Sequence, residues 1–279
     1  MRSGRRIPLW SPKTTIDPAP VHKSHRIKEY VMFAIYKKEL RSFFINPIGY
    51  VYTGAFLGLA ALICCYTTLL SSSYSTTTYF TIMMFAMGIL IPLLTMRLFS
   101  EEKKLRTEQL LLTAPVTITG MVMGKFLAAL TVFGGSLLVS CINFIPIYAV
   151  ANAERAGQSY EFYHIGPVTG ELIGNLVGLL LLGAAFIALG TFISALTENQ
   201  LAAAVVTIAI IFLMLGLGLV SSLIDVYWIR LVLSWISVYS RFGNFQNGLF
   251  DFASILYYAS ICGVFVFLTV RVYEKRRWN

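Results

Sequence analysis

Charged residues are scarce in this chain of 279 residues, and their scarcity excludes an ordinary soluble domain. They make up 13% of the sequence, against about 25% in soluble globular proteins. The hydrophobic residues instead form long runs, at about 48–70, 79–96, 121–147, 171–196, 201–224 and 252–272. Each run matches the roughly 20 residues that cross a hydrocarbon core about 30 Å thick. The runs are too long and too continuously apolar for barrel strands, so we predict an all-α, polytopic membrane protein with six transmembrane helices.

Side chains that could carry out chemistry inside the membrane are also lacking. All the cysteines fall within predicted spans and have no metal-ligand or disulfide spacing: Cys64, Cys65, Cys141 and Cys262. The three histidines lie outside the spans, and no aspartate or glutamate falls in the middle of one. An intramembrane protease or an ion-coupled carrier needs such groups, so both classes are disfavoured. We expect no catalytic residue, metal or cofactor on this chain.

The stretch GMVMGKF at 120–126 does not fit a phosphate-binding loop. That motif needs four residues between its glycines and a Ser or Thr after its lysine. Here three residues separate Gly120 from Gly124, and Phe126 follows Lys125. We interpret Lys125 as a charge at the end of a span that extends toward the membrane surface. Any energy for transport would then come from another chain.

Acidic residues are outnumbered, and the net charge of +9 reports the orientation of the chain rather than binding to nucleic acid. Of the 22 lysines and arginines, 19 fall before residue 48, in the 97–125 region or after residue 270. The other three are Arg155, Arg230 and Arg241. Basic residues favour the cytoplasmic side, so we expect both termini and the 97–117 loop there, in contact with anionic lipid.

The N-terminal region divides into two parts. Residues 1–26 are basic and rich in proline and lack the apolar core of a signal peptide, so we predict a disordered tail. Alternatively, translation starts at Met32 and the preceding residues are an artefact of an early start site. Residues 27–46 are amphipathic, with apolar side chains at helical spacing on one face and Lys37, Lys38 and Arg41 on another. This pattern predicts a helix in the cytoplasmic membrane interface, although a simple extension of the first span is the alternative.

Aromatic residues mark the last outer connection, at about 225–251. Trp228 and Trp235 are seven residues apart and so share a helical face, and tryptophan favours the membrane–water interface. We predict a helical, partly re-entrant element there, with a helix over 226–240. Within the spans, the pairs Gly54/Gly58 and Gly174/Gly178 have the spacing that allows helices to approach closely.

The most polar block between two spans is SEEKKLRTEQLLLTAPVT at 100–117, which combines charges with a leucine cluster. It resembles the first cytoplasmic loop of ABC-2 type transporter permeases, an acidic pair and basic residues followed by Gly-Thr, an acidic residue and Leu-Leu-Leu-Thr-x-Pro. The matching positions are Glu101, Glu102, Thr107, Leu110, Leu111, Leu112, Thr113 and Pro115. Arg106 departs from the pattern, because many members have glycine there. A purely solvated connector is the alternative, but it has no reason to carry the leucines.

Two further stretches extend the resemblance. YKKELRSFFINPIGYV at 36–51 looks like the family's N-terminal element. FGNFQNGLFDFASILYYAS at 242–260, with EKRRW at 274–278, looks like the gliding-motility-associated branch of the family. Residues 27–279 would then form the ABC-2 type transmembrane domain of a permease in a bacterial inner (cytoplasmic) membrane.

The resemblance implies an exporter built from two permease subunits, identical or paralogous, above a dimer of ABC ATPase subunits. ATP and Mg would bind to those ATPase subunits, and the chain would have no nucleotide site of its own. The loop at 98–114 would be a helix that couples the two components. The residues implied in ATPase coupling are Glu101, Glu102, Arg106, Thr107, Glu108, Leu110, Leu111 and Leu112. A membrane anchor or scaffold that recruits a cytoplasmic partner without transport is the alternative function.

Overall fold

The computed structural model describes residues 21–70, 76–106, 117–157, 168–223, 237–248 and 251–278, together with Trp228, Arg230, Leu231 and Leu233. Within these residues the chain is helical, and none of them lies in a strand. The helices are α1 (Val21–Ile45), α2 (Pro47–Cys64), α3 (Thr77–Thr95), α4 (Ser100–Lys104), α5 (Ile118–Ser140), α6 (Phe144–Gly157), α7 (Thr169–Leu196), α8 (Gln200–Leu223), α9 (Val238–Gln246) and α10 (Phe252–Trp278).

Six helical stretches in this part of the chain are long and apolar enough to cross a membrane. They are Pro47–Thr68, Thr77–Lys104, Ile118–Ala153, Thr169–Leu196, Gln200–Ser221 and Phe252–Arg277. The prediction of an all-α polytopic membrane protein with six spans is therefore confirmed. The third span is longer than predicted because a 3-10 turn at Cys141–Asn143 joins α5 directly to α6.

The first helix begins earlier than expected. α1 starts at Val21, six residues before the predicted boundary, so the end of the predicted tail is helical, while residues 1–20 lie outside the described residues. The helix ends at Ile45, and Asn46 is extended because Pro47 follows it and opens α2. The predicted break before the first span is therefore present.

α7 is the central helix of the bundle. It packs most extensively on α10 and also contacts α3, α5, α8 and α9. Of its most apolar stretch 67% is buried, against 28% for α2 and 22% for α10. α2 and α10 are therefore the helices whose apolar surface this chain leaves most open.

Successive spans alternate in direction, so each end of the bundle brings together the start of one span and the end of the next. One end of the bundle, which we call the hub end, contains the start of α2, the α3–α4 junction, the start of α5 and the last turns of α7 and α10. The opposite, far end holds α6, α9 and the first turns of α7 and α10.

Glycines determine how closely α7 approaches two of its neighbours. A Cβ on Gly190 would lie 2.8 Å from the Cβ of Thr95 on α3. At Gly174 it would lie 2.9 Å from the backbone oxygen of Phe245 on α9, so the predicted close approach at the second glycine pair is present. Cβ atoms at Gly54 and Gly58 would meet no atom of the described residues within 4 Å, so the first pair makes no close approach within this part of the chain.

The far end is closed by α9, whose Phe242 and Phe245 are fully buried against α7. The predicted single helix over 226–240 is wrong, because Ser237 is extended and caps a new helix by accepting a hydrogen bond from the backbone N–H of Ser240 at 3.1 Å. Asp251 caps α10, where hydrogen bonds from Ser254 (2.8 Å) and from the backbone of Ala253 (3.0 Å) hold its pKa below the ordinary value.

Candidate functional site

The short segment that follows α3 packs against the bundle. We call residues 96–106 the hub segment: a turn at 96–99, the five-residue helix α4, and a second turn at Leu105 and Arg106. The backbone N–H groups of Leu105 and Arg106 donate to the carbonyl oxygens of Glu101 and Lys103, both at 3.0 Å. The hub segment therefore has its own hydrogen-bonded structure.

The predicted continuous helix over 98–114 is wrong, because α4 ends at Lys104. Arg106 has φ of 55°, the left-handed conformation that ends helices and that favours glycine. A chain that leaves a helix in this conformation changes direction. Arg106, which departs from the sequence pattern by replacing a glycine, therefore has a backbone conformation that favours glycine.

Lys125 is buried at the centre of the site. Its side chain is 1% exposed, and its ammonium donates to Glu102 Oε1 at 2.8 Å, Glu39 Oε1 at 3.0 Å and the carbonyl oxygen of Leu98 at 2.8 Å. An ammonium has three N–H bonds, so these acceptors satisfy it completely. The interpretation of Lys125 as a charge that extends to the surface is therefore wrong.

The bundle tolerates this buried charge because two glutamates compensate it. A buried charge is costly unless it is both paired and hydrogen-bonded. Glu39 comes from α1, Glu102 from α4 and Lys125 from α5, and the two carboxylates are only 13% and 17% exposed. The three side chains, which we call the charged triad, thus join three elements at one point.

A serine near the end of α7 holds the start of the hub segment. Ser194 Oγ accepts hydrogen bonds from the backbone N–H groups of Phe99 (3.1 Å) and Ser100 (3.2 Å). The same hydroxyl donates to the carbonyl oxygen of Met96 at 3.1 Å. Because the first N–H groups of a helix have no partner within it, this serine acts as a cap for α4 supplied by another helix.

Lys103 makes the second connection to α7. It is 7% exposed, and its ammonium donates to the carbonyl oxygen of Ala195. The last carbonyls of a helix lack partners within that helix and carry partial negative charge, so a lysine is a favourable partner. Lys103 is therefore part of the packing and not one of the solvated charges that its sequence position indicates.

Aromatic rings connect the charged triad to the last helix. The Phe99 ring lies 5.2 Å from the ammonium of Lys125 and 4.9 Å, between centroids, from the ring of Tyr273 on α10. Both rings are almost completely buried. The guanidinium of Arg276 lies 5.8 Å from the Tyr273 ring. The hub segment is thus in contact with α1, α5, α7 and α10.

A small pocket lies beside the triad, between α1 and the hub segment. It is lined by Glu39, Ser42, Phe43, Asn46, Ile48, Arg97, Leu98 and Glu101. On one wall Arg97 and Glu101 form a bidentate ion pair, with distances of 2.9 and 2.6 Å. Side-chain packing between α1 and this part of the hub segment is therefore incomplete.

The structure places only some of the residues predicted to couple to an ATPase. Glu101, Glu102 and Arg106 lie on the hub segment, and Glu102 belongs to the charged triad. The others lie outside the described residues: Thr107, Glu108, Leu110, Leu111 and Leu112.

The remaining predicted sites lie at the two ends of the bundle. Lys37, Lys38 and Arg41 are exposed on α1, and Phe33 on the same helix is 61% exposed. Trp228 is helical and 73% exposed, and Trp235 lies outside the described residues.

Sequence reasoning missed Glu39, Lys125, Lys103 and Ser194. A signal for the triad exists in retrospect, because Lys125 is a lone base inside an apolar run and Glu39 is one of two acids in a basic helix. Nothing in the sequence pairs them, since they are 86 residues apart. Ser194 and Ala195 carry no signal, because small residues are common in membrane helices.

The six spans define a polytopic helical membrane protein, and the hub segment is attached to its helices by buried polar contacts at one end. Residues 12–271 match the family described as ABC-2 family transporter protein, and the chain belongs to that family. It is therefore a transmembrane permease component of an ABC transporter and not its nucleotide-binding component. No curated protein matches the chain.

Proposed function

We propose that the chain is the permease subunit of an ATP-driven exporter and is coupled to a separate ATPase through residues 98–114. The complex would contain a second permease, identical or paralogous, and a dimer of ATPase subunits that binds ATP and Mg. Its hub end would face the cytoplasm of a bacterium, with both termini inside. The resemblance of residues 242–260 also leads us to propose membership in the gliding-motility-associated branch.

The observation that carries this proposal is the anchoring of the hub segment. A loop that only connects two spans has no need for a buried ammonium with three acceptors or for a cap supplied by α7. A loop that receives force from another protein does need rigid attachment, because a compliant loop would absorb the displacement. The hub segment is fixed to α1, α5, α7 and α10, so a push on it would reach most of the bundle.

The leucines at 110–112 are the proposed contact with the ATPase. They follow the anchored hub segment directly, and an apolar cluster beside charges suits a groove on a partner protein. Apolar burial would supply most of the docking free energy, since an exposed ion pair contributes only about 0–1 kcal/mol. On α1, the exposed Lys37, Lys38 and Arg41 beside Phe33 and Phe44 suit the predicted position in the membrane interface.

The test is the double variant Leu110→Asp, Leu111→Asp, with Lys104→Ala as the matched control at an exposed charge of the same loop. The double variant is expected to reach the membrane but to lose the co-purifying ATPase and its stimulated ATP turnover in reconstituted vesicles. The control is expected to retain both. Full retention in the double variant would contradict the coupling role. An ATPase that binds but whose turnover is the same with and without the permease would favour the scaffold.

A further inference from the structure

The charged triad provides a buried polar connection between α1 and the hub segment. α1 packs mainly on α5 and α2, and its backbone hardly approaches α4. The pocket beside Ser42 and Phe43 further separates α1 from Arg97 and Glu101. Glu39, which binds Lys125, is therefore a buried polar bridge between this helix and the segment.

The bridge is well suited to transmit displacement. Lys125 is 1% exposed, and its three acceptors fix the ammonium from three directions. Charge-assisted hydrogen bonds are short and directional, and they are stronger in a buried environment than in water. If the hub segment moved, Glu102 and the carbonyl of Leu98 would draw the ammonium with them. Glu39 would then have to follow or leave a buried charge partly unpaired, which is costly.

We propose that Lys125 is a positioning residue that makes α1 follow the hub segment when the ATPase moves it. Coupling would then have an arm to α1, besides the two spans that the loop joins and the contacts of the hub segment with α7 and α10. This proposal rests on the proposed function, because it needs a partner that displaces the segment. The competing explanation is that α1 is carried along by its packing on α5, with Glu39 serving stability alone.

Distance measurements between spin labels separate the two explanations. Labels would be placed at the exposed positions Lys104, on the hub segment, and Lys37, on α1, each paired with exposed Asn247 at the far end. The background would have its native cysteines replaced by alanine, at positions Cys64, Cys65, Cys141 and Cys262. The complex with its ATPase would be compared without nucleotide and with a non-hydrolysable ATP analogue.

In the otherwise unmodified chain we expect nucleotide to change both distances. Glu39→Met, which removes only the α1 arm, is expected to reduce the change at residue 37 to less than half while the change at 104 is retained. Glu39→Gln keeps an oxygen acceptor and is expected to preserve both changes. Arg41→Met, at an exposed position of the same helix, is the matched control.

The outcomes also separate this proposal from the proposed function. An undiminished change at residue 37 in Glu39→Met would overturn the α1 arm and leave packing on α5 as the connection. A change at residue 104 without any change at 37 in the unmodified chain would do the same. No change at either position would overturn the coupling function and this proposal with it. A loss at both positions in Glu39→Met would show general damage to the hub and would also overturn the separate arm.

Discussion

Lys103 and Lys104 are neighbours on one short helix, yet they occupy opposite environments. Lys103 is 7% exposed and donates to the carbonyl oxygen of Ala195, whereas Lys104 is exposed. From the sequence alone the two are indistinguishable members of a charged block. The difference arises because the turn at 96–99 rotates α4 so that one of the pair points at the end of α7. Sequence periodicity cannot supply that rotation, since α4 has only five residues.

The first prediction uses this pair as its own control. Lys103→Ala is expected to lower the free energy of unfolding by about 1–3 kcal/mol, because it removes a buried charge-assisted hydrogen bond. Lys104→Ala is expected to change it by less than about 0.5 kcal/mol, as for most surface substitutions. The measurement is thermal or denaturant unfolding of the purified permease in detergent. Equal effects of the two variants would mean that α4 does not face α7 as described.

Arg106 gives a second prediction at the scale of one residue. Its φ of 55° costs a residue with a Cβ roughly 1–2 kcal/mol, a cost that glycine avoids. Arg106→Gly is therefore expected to stabilise the chain, by about 1 kcal/mol after the greater flexibility of glycine in the unfolded state is subtracted. Arg106→Ala removes the same charge but keeps the Cβ, so it is the control and should bring no gain. If both variants raised the free energy of unfolding by the same amount, loss of the charge rather than backbone conformation would be the cause.

At the scale of elements, the packing of α7 on α3 depends on the absence of a side chain at Gly190. An added Cβ would lie 2.8 Å from the Cβ of Thr95, which is closer than such atoms can come, and Thr95 is itself fully buried. At Gly58 on α2 the added Cβ would meet no atom within 4 Å among the residues that the structure describes. The two glycines therefore differ in what they do, although both look like ordinary small residues of membrane helices.

We predict that Gly190→Ala destabilises the chain by about 1–3 kcal/mol, the usual cost of overpacking a tight interface. Gly58→Ala is expected to leave the stability of the isolated chain unchanged or slightly raised, because alanine favours a helix more than glycine does. Unfolding of both variants in detergent checks this. A destabilising Gly58→Ala would indicate that its face of α2 is covered in the purified protein. A harmless Gly190→Ala would contradict the described approach of α3 and α7.

The elements could be predicted from the sequence more fully than the contacts between them. Apolar runs of about 20 residues fix the existence of each span, because a backbone in lipid must satisfy its own hydrogen bonds. The C-terminal end of α4 and the start of α9 cannot be predicted in this way. The left-handed conformation of Arg106 and the cap at Ser237 are local features of the backbone that no apolar pattern indicates. The charged triad was missed for a different reason: Glu39 and Lys125 meet only after α1 has packed on α5.

At the scale of the whole molecule, the described residues at the two ends of the bundle make different kinds of contact. The hub end joins the hub segment to α1, α5, α7 and α10 through a buried cation, a shared serine and two aromatic rings in tilted contact. The described residues of the far end combine apolar contacts of α9 with α7 and the cap at Asp251. They also make hydrogen bonds from Asn244 to Asp251, from Tyr258 to the carbonyl oxygen of Val238 and from Gln246 to Thr81. A force applied to the hub segment would therefore reach several helices at once, as the proposed function requires.

The orientation of the bundle can be tested by labelling with a membrane-impermeant thiol reagent. Since 19 of the 22 lysines and arginines fall in one set of segments, the hub end should face the cytoplasm. In a cysteine-free background, a cysteine at exposed Asn247, at the far end, should react with reagent added outside intact cells. Cysteines at exposed Lys104 and Lys275, at the hub end, should react only after the cells are opened. These two positions report on α4 and α10 separately, so agreement between them also checks that both elements share an end. Labelling of residue 104 from outside would reverse the orientation and place the hub segment out of reach of any cytoplasmic ATPase.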